Sequence, residues 1–238
     1  IQKMGTTVET RASDKTISTY GYNHANASYH SSDLKVVDGS YHFDVVHPNG
    51  ILKGVVLNMG GSHNIENATA AIAIAITLGI EENKIIAAVA SFKGVKRRFE
   101  YKLKTPSKVL IDDYAHHPEE LNALISGVRS IYPGEKMVLV FQPHLYSRTQ
   151  DQCEGFVSTL DKADEVILLP IYPARELPIE GVTSDMLLGK MKLTNKKVMT
   201  KEALFEWAAS TNDKLIVMAG AGDIDACITT VKDIITNK

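Results

Sequence analysis

A chain of 238 residues, with 23% charged and 44% apolar residues and a net charge of −2, has the size of two modest domains or one large one and the composition of an ordinary soluble globular protein. The balance of charge has no basic excess and argues against nucleic acid as a partner. Cys153 and Cys227 lie far apart without CxxC spacing, which argues against a disulfide framework or a zinc site and suggests a reducing, cytoplasmic setting.

In chain order, the amino end IQKMGTTVETR lacks an apolar core of the signal-peptide kind. Strands are expected over Lys15–Tyr20 and Leu34–Val37, and a hairpin from Tyr41–Val46 and Ile51–Leu57 across the His47-Pro-Asn-Gly50 turn. This β-rich opening supplies few helices. One face of its sheet is expected to be bare, which points to a domain that is incomplete and begins upstream of Ile1. Gly60-Gly-Ser-His-Asn64 then opens a helix, Ile65–Leu78, whose alanines and isoleucines make it apolar nearly all round and therefore buried on several sides. Gly79 ends it. Its stretch Ala68–Ile80 is too short to cross a bilayer and is interrupted by Thr77 and Gly79, so no membrane anchor is expected. A second helix, Glu81–Ala90, precedes Phe92–Glu100, a segment with one glycine and four basic side chains where a domain boundary is placed between residues 95 and 96.

From there strands and helices alternate. Strands are expected at Val109–Ile111, Met137–Phe141, Glu165–Leu169, Lys197–Met199 and Leu215–Ala219. Helices are expected at Pro118–Ser130, Arg148–Leu160, Ser184–Met191, Lys201–Ala209 and Ile224–Ile235. Such alternation gives an α/β fold, a doubly wound, mostly parallel, Rossmann-like sheet covered on both faces.

Two strand-to-helix turns carry the chemistry. Asp112-Asp-Tyr-Ala-His-His-Pro118 holds two carboxylates, a phenol and two imidazoles where ligands of open α/β sheets bind. Gln142-Pro-His-Leu-Tyr-Ser-Arg-Thr149 repeats the arrangement with His144, Tyr146 and Arg148. With the two strands side by side, His144 and Arg148 open onto the same crevice as Tyr114 and His116. Arg148 can grip a carboxylate through paired N–H bonds, a charge-assisted contact of roughly 1.5–3 kcal/mol. A cation at a helix start opposes the helix dipole, which suggests a bound anion.

These stretches, together with Gly61-Ser-His-Asn-Ile-Glu-Asn67, Gly94-Val-Lys-Arg-Arg-Phe-Glu100 and the turn Gly220-Ala-Gly-Asp-Ile224, resemble in order the signatures of the Mur ligase family. The Gln-Pro-His-x-Tyr-Ser-Arg-Thr element is most similar to the members that join L-alanine to UDP-N-acetylmuramic acid. The resemblance implies an ATP-dependent amide ligase of peptidoglycan precursor synthesis: ATP phosphorylates the sugar's carboxylate, and the alanine amine attacks the acyl phosphate. It also implies a division of the chain. Residues 1–95 correspond to the later part of a central ATPase domain, and 96–238 to a C-terminal domain that binds the amino acid.

By the same resemblance, Asn67 contacts adenine. Asn64, one helical turn away, either joins it or is a plain N-cap. Arg98 reaches the terminal phosphate of ATP as the domains close about Gly94, while Lys96 and Arg97 share that task or are solvated. Asp113 holds the ribose, with Asp112 as a structural partner. Tyr114, His116, His144 and Arg148 form the pocket for the alanine and muramoyl carboxylate. An imidazole there accepts or relays the amine proton, and the sequence does not distinguish which; His116 and Arg98 are taken as the catalytic residues, with His117 pointing away. His63 is either a site residue or a packed turn residue. His24, His30, His42 and His47 have no metal-ligand spacing and read as surface or packing residues.

No GxxxxGK(S/T) phosphate loop occurs in the sequence, nor do the family's magnesium-holding residues, so ATP and Mg2+ belong to the intact enzyme and the chain alone is expected to be inactive. Three alternatives compete with this reading. A Rossmann dehydrogenase lacks its glycine fingerprint here. A non-catalytic binding module for nucleotide or L-alanine and a murein tripeptide ligase of recycling are the other two.

Overall fold

The computed structural model describes residues 2–3 and 17–237 and divides into two compact units, Ile1–Gly94 and Val95–Lys238. In the first unit β1 (Gln2–Lys3), β2 (Thr19–Gly21), β3 (Tyr29–Val37), β4 (Ser40–His47) and β5 (Gly50–Leu57) form a five-stranded sheet in that order. Pairing is parallel from β1 to β3 and antiparallel from β3 to β5. The strand expected from Lys15 begins at Thr19, and Lys15 and Thr16 lie outside the described residues. β3 and β4 meet at Asp38-Gly39, whose φ angles of 48° and 71° are the left-handed pair that a two-residue hairpin turn requires. The strand expected at Leu34–Val37 ends where β3 ends but begins too late, because β3 continues back to Tyr29 beyond a bulge between Ser32 and Lys35.

Alternation along β4 and β5 buries Tyr41, Phe43, Val45, Leu52, Val55 and Leu57 on one face, against which α1 (Ser62–Thr77) and α2 (Glu82–Ser91) pack. The end of α1 is fixed at Gly79, with φ 76°: Gly79 N–H donates to Ile76 and Ile80 N–H to Ala75, at 2.9 and 3.0 Å. The expectation that α1 is buried on several sides does not hold. Within this unit it buries one stripe, Ile65, Thr69, Ile72 and Ala73, while Ile74 and Leu78 are exposed by 51% and 73%.

The second unit contains β6 (Glu100–Lys104), β7 (Val109–Asp113), β8 (Met137–Phe141), β9 (Glu165–Leu168), β10 (Lys196–Val198) and β11 (Leu215–Ala219). They lie in the order β10-β9-β8-β11-β7-β6, and every pairing is parallel except β6 with β7. The sheet is thus mostly parallel and doubly wound. Its central strands VLIDD, MVLVF and LIVMA are buried on both faces, as covering helices demand. One face packs Val138, Val140, Ile167, Ile216 and Met218 against α7 (Lys201–Ser210) and α8 (Asp225–Thr236). On the other, α5 (Cys153–Leu160) packs Phe156 against Phe141, the rings tilted by 34°, and lies beside α3 (Pro118–Ile131). Each fully buried Leu, Ile or Phe contributes roughly 1.5–3 kcal/mol.

Three expectations change here. β6, whose EYKLK sequence mixes charge with apolar residues, is an added antiparallel edge. The helix expected over Arg148–Leu160 is two, α4 (Tyr146–Asp151) and α5, broken at Gln152. Most consequentially, β7 and β8 are not side by side, because β11, the last strand in sequence, lies between them. The remaining helix, α6 (Ser184–Lys190), is capped by the Thr183 hydroxyl, which accepts from Met186 N–H.

Candidate functional site: three turns at the carboxyl edge of the sheet

β7, β11 and β8 end level with one another, Ala219 pairing with both Asp113 and Phe141. The middle turn, Gly220-Ala-Gly222, is kept low by packing. A Cβ at Gly220, where φ is 148°, falls 2.8 Å from the Gln142 carbonyl oxygen, and one at Gly222 falls 2.6 Å from both Gln142 Oε1 and Tyr172 Cβ. Glycine is therefore dictated by close approach at both positions. The Gln142 amide ties this turn to β8, its Nε2 donating to Asp223 and its Oε1 accepting from Ile224 N–H, both at 2.8 Å. A side chain in a recognised motif thus proves to be a brace.

In the turn after β7, Asp113 is buried and both its oxygens accept backbone N–H groups, Phe99 at 2.7 Å and Ala115 at 2.8 Å. Burial nevertheless pushes its carboxyl above the usual range, with the two hydrogen bonds pulling the other way. His116 Nδ1 lies 2.9 Å from the Tyr114 carbonyl and 3.2 Å from Glu120 Oε2, two acceptors, so Nδ1 carries the proton and Nε2 of the neutral ring is left as an acceptor. Burial lowers the His116 pKa below its ordinary value, with Tyr114 and Glu120 opposing and Arg148 adding to the fall. Neutral imidazole is the form that can take up a proton. The His117 ring lies 4.7 Å from that of His116, and its Nδ1 is 3.3 Å from Gln152 Oε1 at the α4–α5 break.

The turn after β8 is built differently. Leu145, at φ 72° and ψ 135°, sits in a region that non-glycine residues avoid, and it turns the chain between His144 and α4. Arg148 Nη1 lies 3.2 Å from His144 Nδ1. A guanidinium only donates, so this Nδ1 accepts and the proton of neutral His144 sits on Nε2. Burial lowers the His144 pKa, and Arg148 lowers it further. The start of α4 is met by Glu176, whose oxygens accept Ser147 N–H at 3.0 Å and Ser147 Oγ–H at 2.5 Å. An acid of the protein itself therefore offsets the dipole against which Arg148 stands, a role that the sequence argument had given to a bound anion.

The two turns meet above β11 despite the intervening strand: the His116 and His144 rings are 6.1 Å apart, and Tyr114 lies 5.2 Å from His116. Tyr114 also receives Arg97, whose guanidinium is 5.0 Å from the ring centre. Arg97 is not solvated. With φ 58° and a side chain only 11% exposed, it donates to the Gly220 carbonyl and lies 3.6 Å from Asp112 Oδ1 and 3.5 Å from Asp225 Oδ2. Burial pushes the Asp112 carboxyl up to about 6, against the pull of Arg97 and Lys102. Arg98, by contrast, is exposed.

In the other unit, Asn64 is not the N-cap of α1, which is Gly61. Its Nδ2 donates to the Gly60 carbonyl at 2.7 Å, while Asn67 on the same face is exposed. His63 folds over Gly61, its ring within 2.5 Å of where a Cβ would sit. Among the early histidines, His47 is buried and stacked on Tyr29, with ring centres 6.4 Å apart. Among the described residues no group of three or more His, Cys, Asp or Glu side chains is arranged to hold a metal ion, and no helix is long and apolar enough to cross a membrane.

Comparison with known proteins agrees with this architecture. The Mur ligase glutamate ligase domain matches residues 97–222 and the Mur ligase middle domain residues 2–75. A UDP-N-acetylmuramate–L-alanine ligase of Flavobacterium johnsoniae is 46% identical over 207 residues, 87% of this chain and 46% of that protein. One from Porphyromonas gingivalis is 44% identical over 234 residues, 98% of this chain and 51% of that protein. The crystal structure of UDP-N-acetylmuramate-alanine ligase MurC from Thermotoga maritima superposes with a TM-score of 0.71 at 24% identity, covering 92% of this chain and 47% of that one. The chain spans about half the length of the curated relatives it matches. With family domains matched in both units and the carboxyl-edge turns in place, the chain belongs to the Mur ligase family.

Proposed function

We propose that the chain is the nucleotide- and amino-acid-binding part of an ATP-dependent ligase that joins L-alanine to UDP-N-acetylmuramic acid in peptidoglycan precursor synthesis. Residues 1–95 supply the later part of the ATPase domain and 96–238 the ligase domain. One observation carries this reading: His116 and His144, with rings 6.1 Å apart, are held in opposite tautomers beside Arg148. An amino acid presents an N–H donor and a carboxylate a few ångströms apart. His116 Nε2 accepts from the amine, and His144 Nε2–H and Arg148 donate to the carboxylate. As the amine attacks the acyl phosphate carbon it must shed a proton, and His116, neutral because burial lowers its pKa, takes it while phosphate leaves. Asn64 and Asn67 face adenine, Arg98 the terminal phosphate and Asp113 the ribose. A reaction that consumes ATP and a nucleotide sugar fits the cytoplasm. Magnesium accompanies ATP in such ligases; among the described residues no group of three or more acidic, histidine or cysteine side chains gathers to hold it, and no step here passes through it.

The test is Arg148→Ala in the full-length protein. Loss of a charge-assisted hydrogen bond raises the KM for L-alanine by about 10–100-fold with the KM for ATP unchanged. An unaltered alanine requirement removes Arg148 from the pocket. Turnover with murein tripeptide in place of alanine assigns the protein to recycling instead.

A further inference from the structure

The segment between β9 and α6, residues 169–183, drew no attention in the sequence, yet it is hydrogen-bonded to the second turn at both Tyr172 and Glu176. Tyr172 and the turn exchange backbone hydrogen bonds, Leu145 N–H to the Tyr172 carbonyl at 2.9 Å and Tyr172 N–H to the Pro143 carbonyl at 2.8 Å, so His144 and Tyr172 form a short parallel bridge beyond the end of the sheet. The Tyr172 ring lies 5.6 Å from the His144 ring at an interplanar angle of 26°, a stacked geometry. Its other side is closed by the glycine turn, since a Cβ on Gly222 falls within 2.6 and 2.7 Å of Tyr172 Cβ and Cγ. Four residues on, after Ala174 at φ 51°, Glu176 grips Ser147 through both carboxylate oxygens and accepts from the Tyr146 N–H. Those hydrogen bonds hold the Glu176 carboxyl below its usual range, so it stays ionised, and it draws the His144 pKa upward against Arg148.

We propose that this loop is the third wall of the amino-acid pocket, with Tyr172 and Glu176 as positioning residues: Tyr172 fixes the plane of the His144 imidazole, and Glu176 fixes the start of α4 from which Arg148 reaches back to it. The inference rests on the functional reading above, since it concerns the same pocket. Neither side chain handles a proton in the reaction. Their part is to keep His144 in the tautomer that donates from Nε2, which free imidazole in water holds only as one of two. Leu145 cannot supply this by itself, because a residue in an avoided backbone region persists only where its surroundings over-determine it.

The experiment uses the full-length protein and the variants Tyr172→Ala, Tyr172→Phe, Glu176→Ala and Glu176→Gln, read in two ways. In steady-state kinetics the alanine variants raise the KM for L-alanine by about threefold to tenfold with kcat and the KM for ATP within about twofold, and Tyr172→Phe and Glu176→Gln restore most of the loss. In 15N spectra of the labelled histidines, wild-type His144 shows an unprotonated Nδ1, and the two alanine variants move it toward the averaged signal of a ring exchanging between tautomers. A KM for ATP that rises in parallel, a phenylalanine variant no better than alanine, or an unchanged His144 signal overturns the proposal. The nitrogen spectrum needs no substrate, so a wild type inert toward L-alanine overturns the functional reading alone, and an unmoved spectrum overturns the loop's role alone.

Discussion

The turn after β7 is held mainly by its neighbours in sequence and the turn after β8 by residues far away. In the first, Asp113 bonds Ala115 and Phe99, and Glu120 bonds His116, at separations of 2, 14 and 4 residues. In the second, Ser147 bonds Glu176 at a separation of 29, and Gln142 bonds Asp223 and Ile224 at 81 and 82. The two turns present the same residue types to one crevice, but the first is nearly self-assembled and the second exists only once the rest of the sheet is in place. A histidine whose tautomer is set by its own carbonyl neighbour, as His116's is, survives local change better than one whose tautomer is set by a long guanidinium.

Arg97→Ala is the strongest way to break this contrast, because Arg97 is the remote tie of the first turn, reaching Gly220 across 123 residues. Removing it leaves the nearly buried Asp112 carboxylate with only the longer Lys102 contact at 3.8 Å and costs about 3–5 kcal/mol, measured by urea denaturation followed through Trp207, the one tryptophan. Arg97→Lys does not rescue it, since an ammonium cannot reproduce the fork. A loss under 1 kcal/mol means that the first turn stands without remote help.

Asp112 gives the next effect. Its folded-state pKa is raised from 3.8 to about 6, so the folded protein binds this proton more tightly than the unfolded chain does. The stabilisation is fully present below 3.8 and is lost as pH rises through 6, a fall on the order of 3 kcal/mol. Asp112→Asn removes the slope across that window, and an unchanged slope assigns the titration to another group.

Gly222→Ala probes the second turn at its most distant support. The added Cβ must displace Gln142 Oε1 or Tyr172, an overpacking cost of about 1–3 kcal/mol, and it raises the KM for L-alanine in the full-length protein while leaving the His116 15N signal in place. Movement of both histidine signals denies that the turns are independent. The smallest effect belongs to Glu120→Gln. Glu120 raises the His116 pKa against the larger influence of burial, so neutralising it lowers that pKa further. His116 then acts as a base to lower pH, and the acid limb of the alanine-dependent rate shifts in that direction. Added salt mimics part of the shift in the wild type, because the pair is partly exposed.

Legibility followed the same division. Alternating apolar strands and helices exposed the doubly wound sheet, and the titratable turn at 112–118 announced itself because its partners sit within it. What escaped notice depends on spatial order. Nothing in the residues of β11 says that it inserts between β7 and β8, so side-by-side strands were the natural and mistaken inference. Gln142 and Glu176 carry no pattern that marks them as braces, and the exposed-looking Lys-Arg-Arg run concealed that Arg97 turns inward on a left-handed residue. Asp38-Gly39 was readable from turn chemistry alone and was passed over. The burial of α1 was overestimated because periodicity cannot say how many neighbours a helix will find.

The position of β11 also dictates when the pocket can come into being. Residues 215–219 leave the ribosome after both strands they separate, so nascent β7 and β8 wait with open hydrogen-bonding edges for a plank that arrives last. Until it slots in, no arrangement of the earlier residues brings the two imidazoles to their working distance. Assembly of the crevice is thereby coupled to synthesis of β11, and a ribosome-stalled chain ending before Leu215 should fold its helices yet leave the His116 and His144 turns unjoined.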